Sequence, residues 1–268
     1  MNENNKKQRF CIICTKQLTY YIQNIQIIVF RYFSIDFSYF MCYNLIKNKG
    51  NTPQHNNKPN KGGKVDIMRK SKIFSEGNKK LSGGSVHFFQ FNIPAILTCP
   101  NASPDCKKFC YAAKAERIYT NTRNQRARNY ELTECKDFVE IISNELENIL
   151  YRNNNIIRIH ESGDFYNYEY FKKWVKIAEK FPDVIFMAYT KSFEILKKYR
   201  KPLPKNFLIR CSLDDSNVKE WGAFVGRLGY PIYYAGDLAG AVPCRCKECG
   251  SCLLCYGKTN KDISCKIH

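Results

Sequence analysis

The residues with the clearest chemical potential are three cysteines in one short loop, Cys99, Cys106 and Cys110. They stand between an apolar segment typical of a strand and a segment typical of a helix, and two prolines keep the loop irregular. Three converging thiolates suit a [4Fe–4S] cluster in which one iron stays free for a small ligand. The alternatives are zinc, with a fourth ligand from His87 or His160, and buried structural thiols.

A second group of five cysteines lies near the end of the sequence: Cys244, Cys246, Cys249, Cys252 and Cys255. Its core spacing, C-x2-C-x2-C, matches the start of a ferredoxin-type run. A fourth thiolate could come from Cys244, Cys246 or Cys265. Zinc is the alternative, although zinc sites usually combine two separated C-x2-C pairs. We therefore predict a second metal centre here, either an iron–sulfur cluster or zinc.

Polar residues follow each predicted strand at its carboxyl end. Residues 160–164 follow the second strand, residues 190–192 the third and residues 212–215 the fourth. Because parallel α/β folds bind ligands at this end, we expect these groups to share one pocket with the first cysteine loop. The candidate catalytic or positioning residues are His160, Asp164, Lys191 and Asp214, and the candidate cofactor contacts are Ser162, Gly163 and Asp164. Taken singly, each motif is also typical of turn and capping chemistry.

The elements that must position these residues alternate between strands and helices. Strands are predicted at residues 87–93, 156–160, 184–189, 207–212 and 231–235, and helices at residues 107–117, 137–151, 168–180, 193–198 and 221–228. The strands are too continuously apolar for one face to meet water. We therefore predict an α/β fold: a parallel sheet with helices outside, open or closed into a partial (β/α) barrel, with a Cys-rich C-terminal extension.

Charge and composition divide the chain unevenly. The 268 residues include 43 Lys and Arg against 24 Asp and Glu, and the first 80 residues hold 11 of the 19 excess positive charges. The proportions of apolar, aromatic and charged residues exclude wholesale disorder and a collagen-like or coiled-coil chain. We predict a poorly structured or variable extension over residues 1–67, an α/β core over 68–240 and a metal- or cluster-binding tail over 241–268.

Cysteine clustering without a visible secretory signal favours a reducing cytoplasm over a disulfide framework. Membrane association is not expected, because charges interrupt the apolar stretch near the N-terminus. A redox-active cluster would need an electron donor as partner. The alternative function is a non-enzymatic nucleic-acid-binding module with structural cysteine sites and a basic surface. Four arginines near tyrosines would suit it, although such residues more often form a solvated helix face; they are Arg117, Arg123, Arg126 and Arg128.

Several short motifs resemble the gene product 88 family of phage and bacterial proteins. They are residues 77–81 (GNKKL), 98–100 (TCP), Cys106, 110–112 (CYA), 114–117 (KAER), 158–160 (RIH), 162–166 (SGDFY), 188–192 (AYTKS), Cys249, Cys252, Cys255 and His268. The resemblance extends over residues 74–268. The resemblance identifies a family of related proteins but implies no activity.

More distantly, the layout is similar to that of radical S-adenosylmethionine (SAM) enzymes, which carry a three-Cys loop after their first barrel strand. The resemblance implies that the first three cysteines bind a [4Fe–4S] cluster and that residues 162–164 contact SAM. It also implies that the C-terminal cysteines hold an auxiliary cluster. The spacing here is C-x6-C-x3-C, whereas those enzymes usually have C-x3-C-x2-C. The implied activity is that of an oxidoreductase or transferase with an unidentified substrate.

Overall fold

The computed structural model describes residues 73–81, 83–150 and 154–266. The predicted extension over residues 1–67 and the motif residue His268 lie outside them. The described helices are α1 (Pro104–Lys108), α2 (Tyr111–Ile118), α3 (Thr120–Thr133), α4 (Phe138–Ile149), α5 (Tyr168–Lys180), α6 (Phe193–Lys198), α7 (Val218–Leu228) and α8 (Cys249–Cys252). The described strands are β1 (Ser75–Glu76), β2 (His87–Phe91), β3 (Asn155–Ile159), β4 (Ile185–Thr190), β5 (Phe207–Asp214), β6 (Ile232–Ala235), β7 (Val242–Pro243) and β8 (Ile263–Cys265).

These strands form one sheet in the order β1-β2-β3-β4-β5-β6-β8-β7. β1 runs antiparallel to β2, and every other described neighbour pair is parallel. From β2 to β6 the strands follow each other in chain order, as they do in a barrel and not in a doubly wound sheet. In the part described, the order ends at two free edges. The predicted α/β fold is confirmed in its open form, and the sheet is not a closed barrel.

Helices cover the outer face of the sheet. Phe91 of β2 packs edge-on against Phe138 of α4 and Trp174 of α5, with ring centroids 5.8 and 5.1 Å apart. All three rings are fully buried. Aromatic side chains of this size dominate the energetics of a core. None of the described helices combines the length and the apolar character that crossing a membrane requires.

The C-terminal segment covers the inner face. Phe88, Ile156 and Met187, from three neighbouring strands, form a buried cluster with Tyr256. The rings of Phe88 and Tyr256 meet at 5.0 Å and 68°. The cysteine-rich residues after β7 therefore fold back onto the sheet, and β8 inserts between β6 and β7. This brings the second cysteine group onto the inner face of the sheet.

Two helices differ from the sequence prediction. Instead of one helix over residues 107–117 there are two, because Cys110 has an extended backbone (φ −65°, ψ 99°) and begins α2 as its N-cap. α3 was not predicted at all. Its buried positions include Arg126, Asn129 and Thr133, so its core-facing side is polar and shows no apolar periodicity.

Candidate functional site

The loop after β2 carries Cys99, Cys106 and Cys110 over the carboxyl end of the sheet. All three are free thiols, and Cys106 is exposed. Cys99 lies within electrostatic range of the other two. Burial, followed by the charge of Asp164, raises the pKa of Cys99 to about 12, and partial loss of hydration beside neighbouring groups raises the pKa of Cys106. Metal binding to these thiols would therefore release protons.

Two helix starts position two of these cysteines. Ser103 caps α1, and its Oγ accepts a hydrogen bond from the backbone N–H of Cys106 at 3.1 Å. Cys110 caps α2, and its Sγ accepts a hydrogen bond from the backbone N–H of Ala113 at 3.4 Å. These two caps fix the backbone at Cys106 and the side chain of Cys110 at the starts of consecutive helices.

An ion pair at the ends of β4 and β5 ties this loop to the sheet. Asp214 Oδ2 accepts a hydrogen bond from Ser103 Oγ at 2.5 Å and lies 3.1 Å from Lys191 Nζ. Lys191 Nζ also donates to the carbonyl and Oγ of Ser212, at 3.1 and 2.9 Å. Lys191 and Asp214 are both buried. Because an unpaired buried charge is strongly destabilising, this pair fixes where the loop sits.

Asp164 links the ends of β3 and β4. Its carboxylate accepts hydrogen bonds from Thr190 Oγ1 at 2.6 Å and from the backbone N–H groups of Phe165 and Lys191 at 2.7 and 2.8 Å. Burial raises the pKa of Asp164 to about 6, against the opposing effect of these bonds. A carboxylate offers about four acceptor positions. One therefore stays available, within electrostatic range of Cys99.

Gly163 allows the loop to approach β3 closely. Its φ is +92°, and a Cβ there would lie 2.3 Å from Ile93 Cγ1 and 2.7 Å from Thr98 Oγ1. The next residue, Asp164, donates its backbone N–H to the carbonyl of Thr98 at 3.2 Å. Ser162 instead donates its hydroxyl to Glu116 at 3.3 Å. All three predicted cofactor contacts, Ser162, Gly163 and Asp164, thus pack against or hydrogen-bond to other parts of the protein.

Arg126, one of the arginines considered for a basic surface, instead forms a largely buried ion pair with Glu116, which was not a candidate. Glu116 Oε1 accepts from Arg126 Nη1 at 3.0 Å and from the backbone N–H of Ala95 at 2.8 Å. Arg126 Nη1 also donates to the carbonyl of Ala112 at 3.0 Å. Arg126 is only 5% exposed, so it is not part of a solvated or nucleic-acid-binding face. Its polar neighbours along α3 hide this burial in the sequence.

His160 lies outside the network around Asp164 and Lys191. Its Nε2 is 2.8 Å from the hydroxyl of Tyr170, and its ring packs 5.0 Å from that of Phe165. Burial lowers the pKa of His160 to about 3, so the imidazole is neutral. The other histidine considered as a zinc ligand, His87, begins β2 at the strand end opposite the cysteine loop. The structure brings neither histidine to the three thiols.

The second cysteine group surrounds a small open cavity, whose lining includes Cys244, Cys246, Cys249, Cys252 and Cys255. Within this group, Cys246 lies within hydrogen-bonding reach of Cys252. Cys244 instead reaches Cys265. Burial is the main cause of the raised pKa of Cys249 and of Cys255. The cavity is the place where several thiols face one another.

Arg210 of β5 holds the backbone that carries this group. Its guanidinium donates to the carbonyls of Thr259 and Lys261 at 2.5 and 2.9 Å, and to those of Leu254 and Cys255 at 3.3 and 3.5 Å. A planar guanidinium presents five donors in a fixed geometry, which suits it to several acceptors at once. The inner face of the sheet therefore preorganises the chain around the C-terminal cysteines.

Across the described ranges, no three His, Cys, Asp or Glu side chains are arranged to hold one metal ion. A single zinc ion needs thiolates about 2.3 Å from one point, whereas each cysteine of a [4Fe–4S] cluster binds a different iron. Ten described cysteines are free, and Cys135, which belongs to neither group, is disulfide-bonded. The cytoplasmic location stays a prediction.

Comparison with known proteins places this arrangement in a family. The model of gene product 88 matches residues 48–232. The chain belongs to the gene product 88 family. The match includes the three-Cys loop and the strand ends beneath it, and it stops before the C-terminal cysteines. Those cysteines were part of the predicted resemblance but lie beyond the matched residues.

Two curated relatives come from mycobacteriophages. The chain is 28% identical over 130 residues to the Gene 88 protein of Mycobacterium phage D29, and 30% identical over 130 residues to that of Mycobacterium phage L5. Each match covers 46% of this chain and 54% of the relative. The chain thus spans about half the length of these curated relatives. No solved structure matches it.

Proposed function

We propose that this gene 88 protein is an iron–sulfur protein with a radical-SAM-like activity, in which Cys99, Cys106 and Cys110 bind a [4Fe–4S] cluster. The observation that carries the proposal is the position of the loop. The hydrogen bond from Ser103 to Asp214 attaches the loop with the three free thiols to the ends of parallel strands, where α/β folds bind their ligands. The donor set fits such a cluster, because three thiolates leave one iron for a cofactor.

The chain's own residues would prepare this site. When bound, a three-thiolate cluster supplies one-electron reduction of a cofactor such as SAM at its free iron. Asp164 keeps one acceptor position for the amine of that cofactor, next to Cys99. Lys191 and Asp214 hold the loop through Ser103, so the loop beside a bound cofactor would be fixed in position. We treat these three residues as positioning residues.

The C-terminal group would hold a second cluster. We propose Cys246, Cys249, Cys252 and Cys255 as its ligands, because all four line the cavity and Cys246 reaches Cys252. Cys244 is the weaker candidate, since its free thiol is hydrogen-bonded to that of Cys265. Four-thiolate ligation is the arrangement of electron-transfer clusters. This centre would then pass electrons from an external donor towards the first.

The test begins with the full chain purified without oxygen. We expect a brown protein with iron and sulfide in equal amounts, and reductive cleavage of SAM when dithionite is added. The variant Cys99→Ala/Cys106→Ala/Cys110→Ala should keep about half of the iron and lose all SAM cleavage. The control Cys211→Ala removes a free thiol that belongs to neither group, so it should keep the iron.

Each alternative gives a different result. A colourless protein without iron would overturn the proposal. Iron without SAM cleavage would leave a redox or structural cluster and would overturn only the activity. The nucleic-acid alternative stays a prediction: it requires binding that weakens steeply with salt and does not depend on reductant.

A further inference from the structure

Two unpaired donors lie side by side on the inner face of the sheet. Gln90 of β2 and Arg158 of β3 are direct neighbours in the strand register. Gln90 is only 2% exposed and its Nε2 has no hydrogen-bond partner, and the buried Nε of Arg158 has none either. Buried N–H groups are nearly always paired in folded proteins. The described residues contain six buried side-chain atoms without a partner, and these two are neighbours, with one of them on a cation. Such a pair suits a site where a ligand supplies the acceptor.

The surroundings of Arg158 are aromatic. Its guanidinium carbon lies 5.5 Å from the centre of the Tyr189 ring. The phenols of Tyr111 and Tyr256, and the carboxylate of Glu161, are within electrostatic range. Tyr111 follows Cys110 and Tyr256 follows Cys255 in the chain. Arg158 is also within electrostatic range of Cys249 and Cys255, and Tyr111 is within range of both Arg158 and Cys110. The donors therefore lie near both cysteine groups, beside rings that can pack against an apolar or aromatic body.

The charge selects the kind of acceptor. Arg158 supplies one positive charge, and Glu161 places one negative charge nearby. A dianionic phosphate would meet a site whose net charge is near zero, whereas a singly charged carboxylate needs only one cation. Guanidinium groups bind carboxylates in a planar, two-bond geometry, and the amide of Gln90 can add a third donor.

We infer that Arg158 and Gln90 anchor the carboxylate of a small organic substrate with an aromatic or apolar body. The anchor depends only on the sheet, so it can be tested whether or not the proposed clusters exist. If the proposed function is right, it also names the substrate class, because the anchored molecule would lie between the two centres.

The experiment is isothermal titration of the full chain with benzoate, benzamide and phenyl phosphate as probes. We expect saturable benzoate binding and no binding of the neutral benzamide. Arg158→Gln should weaken benzoate binding about ten- to a hundredfold, since it removes a charge-assisted pair. Gln90→Met, which keeps the size of the side chain, should weaken it by a smaller factor. Arg123→Gln, at an exposed arginine on α3, should leave it unchanged.

Several results would overturn the inference. They are equal binding of benzoate and benzamide, benzoate binding that survives in Arg158→Gln, tighter binding of phenyl phosphate than of benzoate, and no benzoate binding in the millimolar range. Circular dichroism and iron content of each variant show whether it folds and keeps its clusters. A failure of the cluster proposal appears as missing iron in the wild type, whereas a failure of this inference appears only in the titrations.

Discussion

The close approach of the cysteine loop to β3 predicts a large effect of one added methyl group at Gly163. Its φ of +92° costs an L-residue about 1–2 kcal/mol. The new Cβ would also lie 2.3 Å from Ile93 Cγ1 and 2.7 Å from Thr98 Oγ1. Neither neighbour can yield easily, because both are buried and Thr98 is hydrogen-bonded to the carbonyl of Pro94. Overpacking of this kind costs a further 1–3 kcal/mol, roughly.

A matched control separates backbone strain from steric contact. Gly229, which ends α7, has φ +74° and would place its Cβ in open space. Gly229→Ala should therefore cost only about 1–2 kcal/mol, and Gly163→Ala about 2–5 kcal/mol. Urea unfolding followed by circular dichroism measures both. Because Thr98 adjoins Cys99, Gly163→Ala should also lower the iron content, and Gly229→Ala should not. Equal costs for the two variants would refute the close approach.

Three further predictions concern buried charged or titratable groups. His160 is buried and neutral, so the free energy of unfolding should fall by up to about 5 kcal/mol as pH drops from 6.5 to about 3. His160→Asn should remove this part of the acid sensitivity in urea titrations, and an unchanged pH profile would contradict it. Lys191→Met should cost about 3–5 kcal/mol by leaving Asp214 buried and unpaired, and adding Asp214→Asn should recover part of that. If Lys191→Met alone were as stable as the wild type, the ion pair would be ruled out. Arg210→Lys should speed amide exchange in residues 254–261 about tenfold or more while β3 stays protected. Equal exchange in Arg210→Lys and in the wild type would disprove the role of the guanidinium.

Local patterns in the sequence predicted β2 to β6 well because each is a short apolar run that ends in polar residues. They did not predict β1, β7 and β8, which have only two or three residues each. α5 is predicted over its full length, since Phe171, Trp174 and Ala178 repeat at helical spacing. α3 escaped prediction because its buried side chains are polar and find partners far away in the chain. Asn129, for example, donates to the carbonyls of Ile73 and Asn92, and no local pattern encodes such a contact.

The candidate site shows the same division. The positions of the three cysteines in one loop, and of Asp164, Lys191 and Asp214 at strand ends, can be read from the sequence because parallel strands bring their carboxyl ends to one edge. The contacts among these residues cannot be read from the sequence, since the hydrogen bond from Ser103 to Asp214 joins residues 111 positions apart. His160 also lies at the end of a strand, so the sequence predicts it at the same site. Its side chain instead forms a hydrogen bond with Tyr170.

The sequence by itself determined that this chain is an α/β protein with two cysteine groups, because apolar periodicity and residue spacing are local properties. Only the tertiary structure decided that the second group folds onto the inner face of the sheet and that Gln90 Nε2 and Arg158 Nε are buried there without hydrogen-bond partners. Those facts depend on which strands pair and in which register, and register is set by packing over the whole sheet.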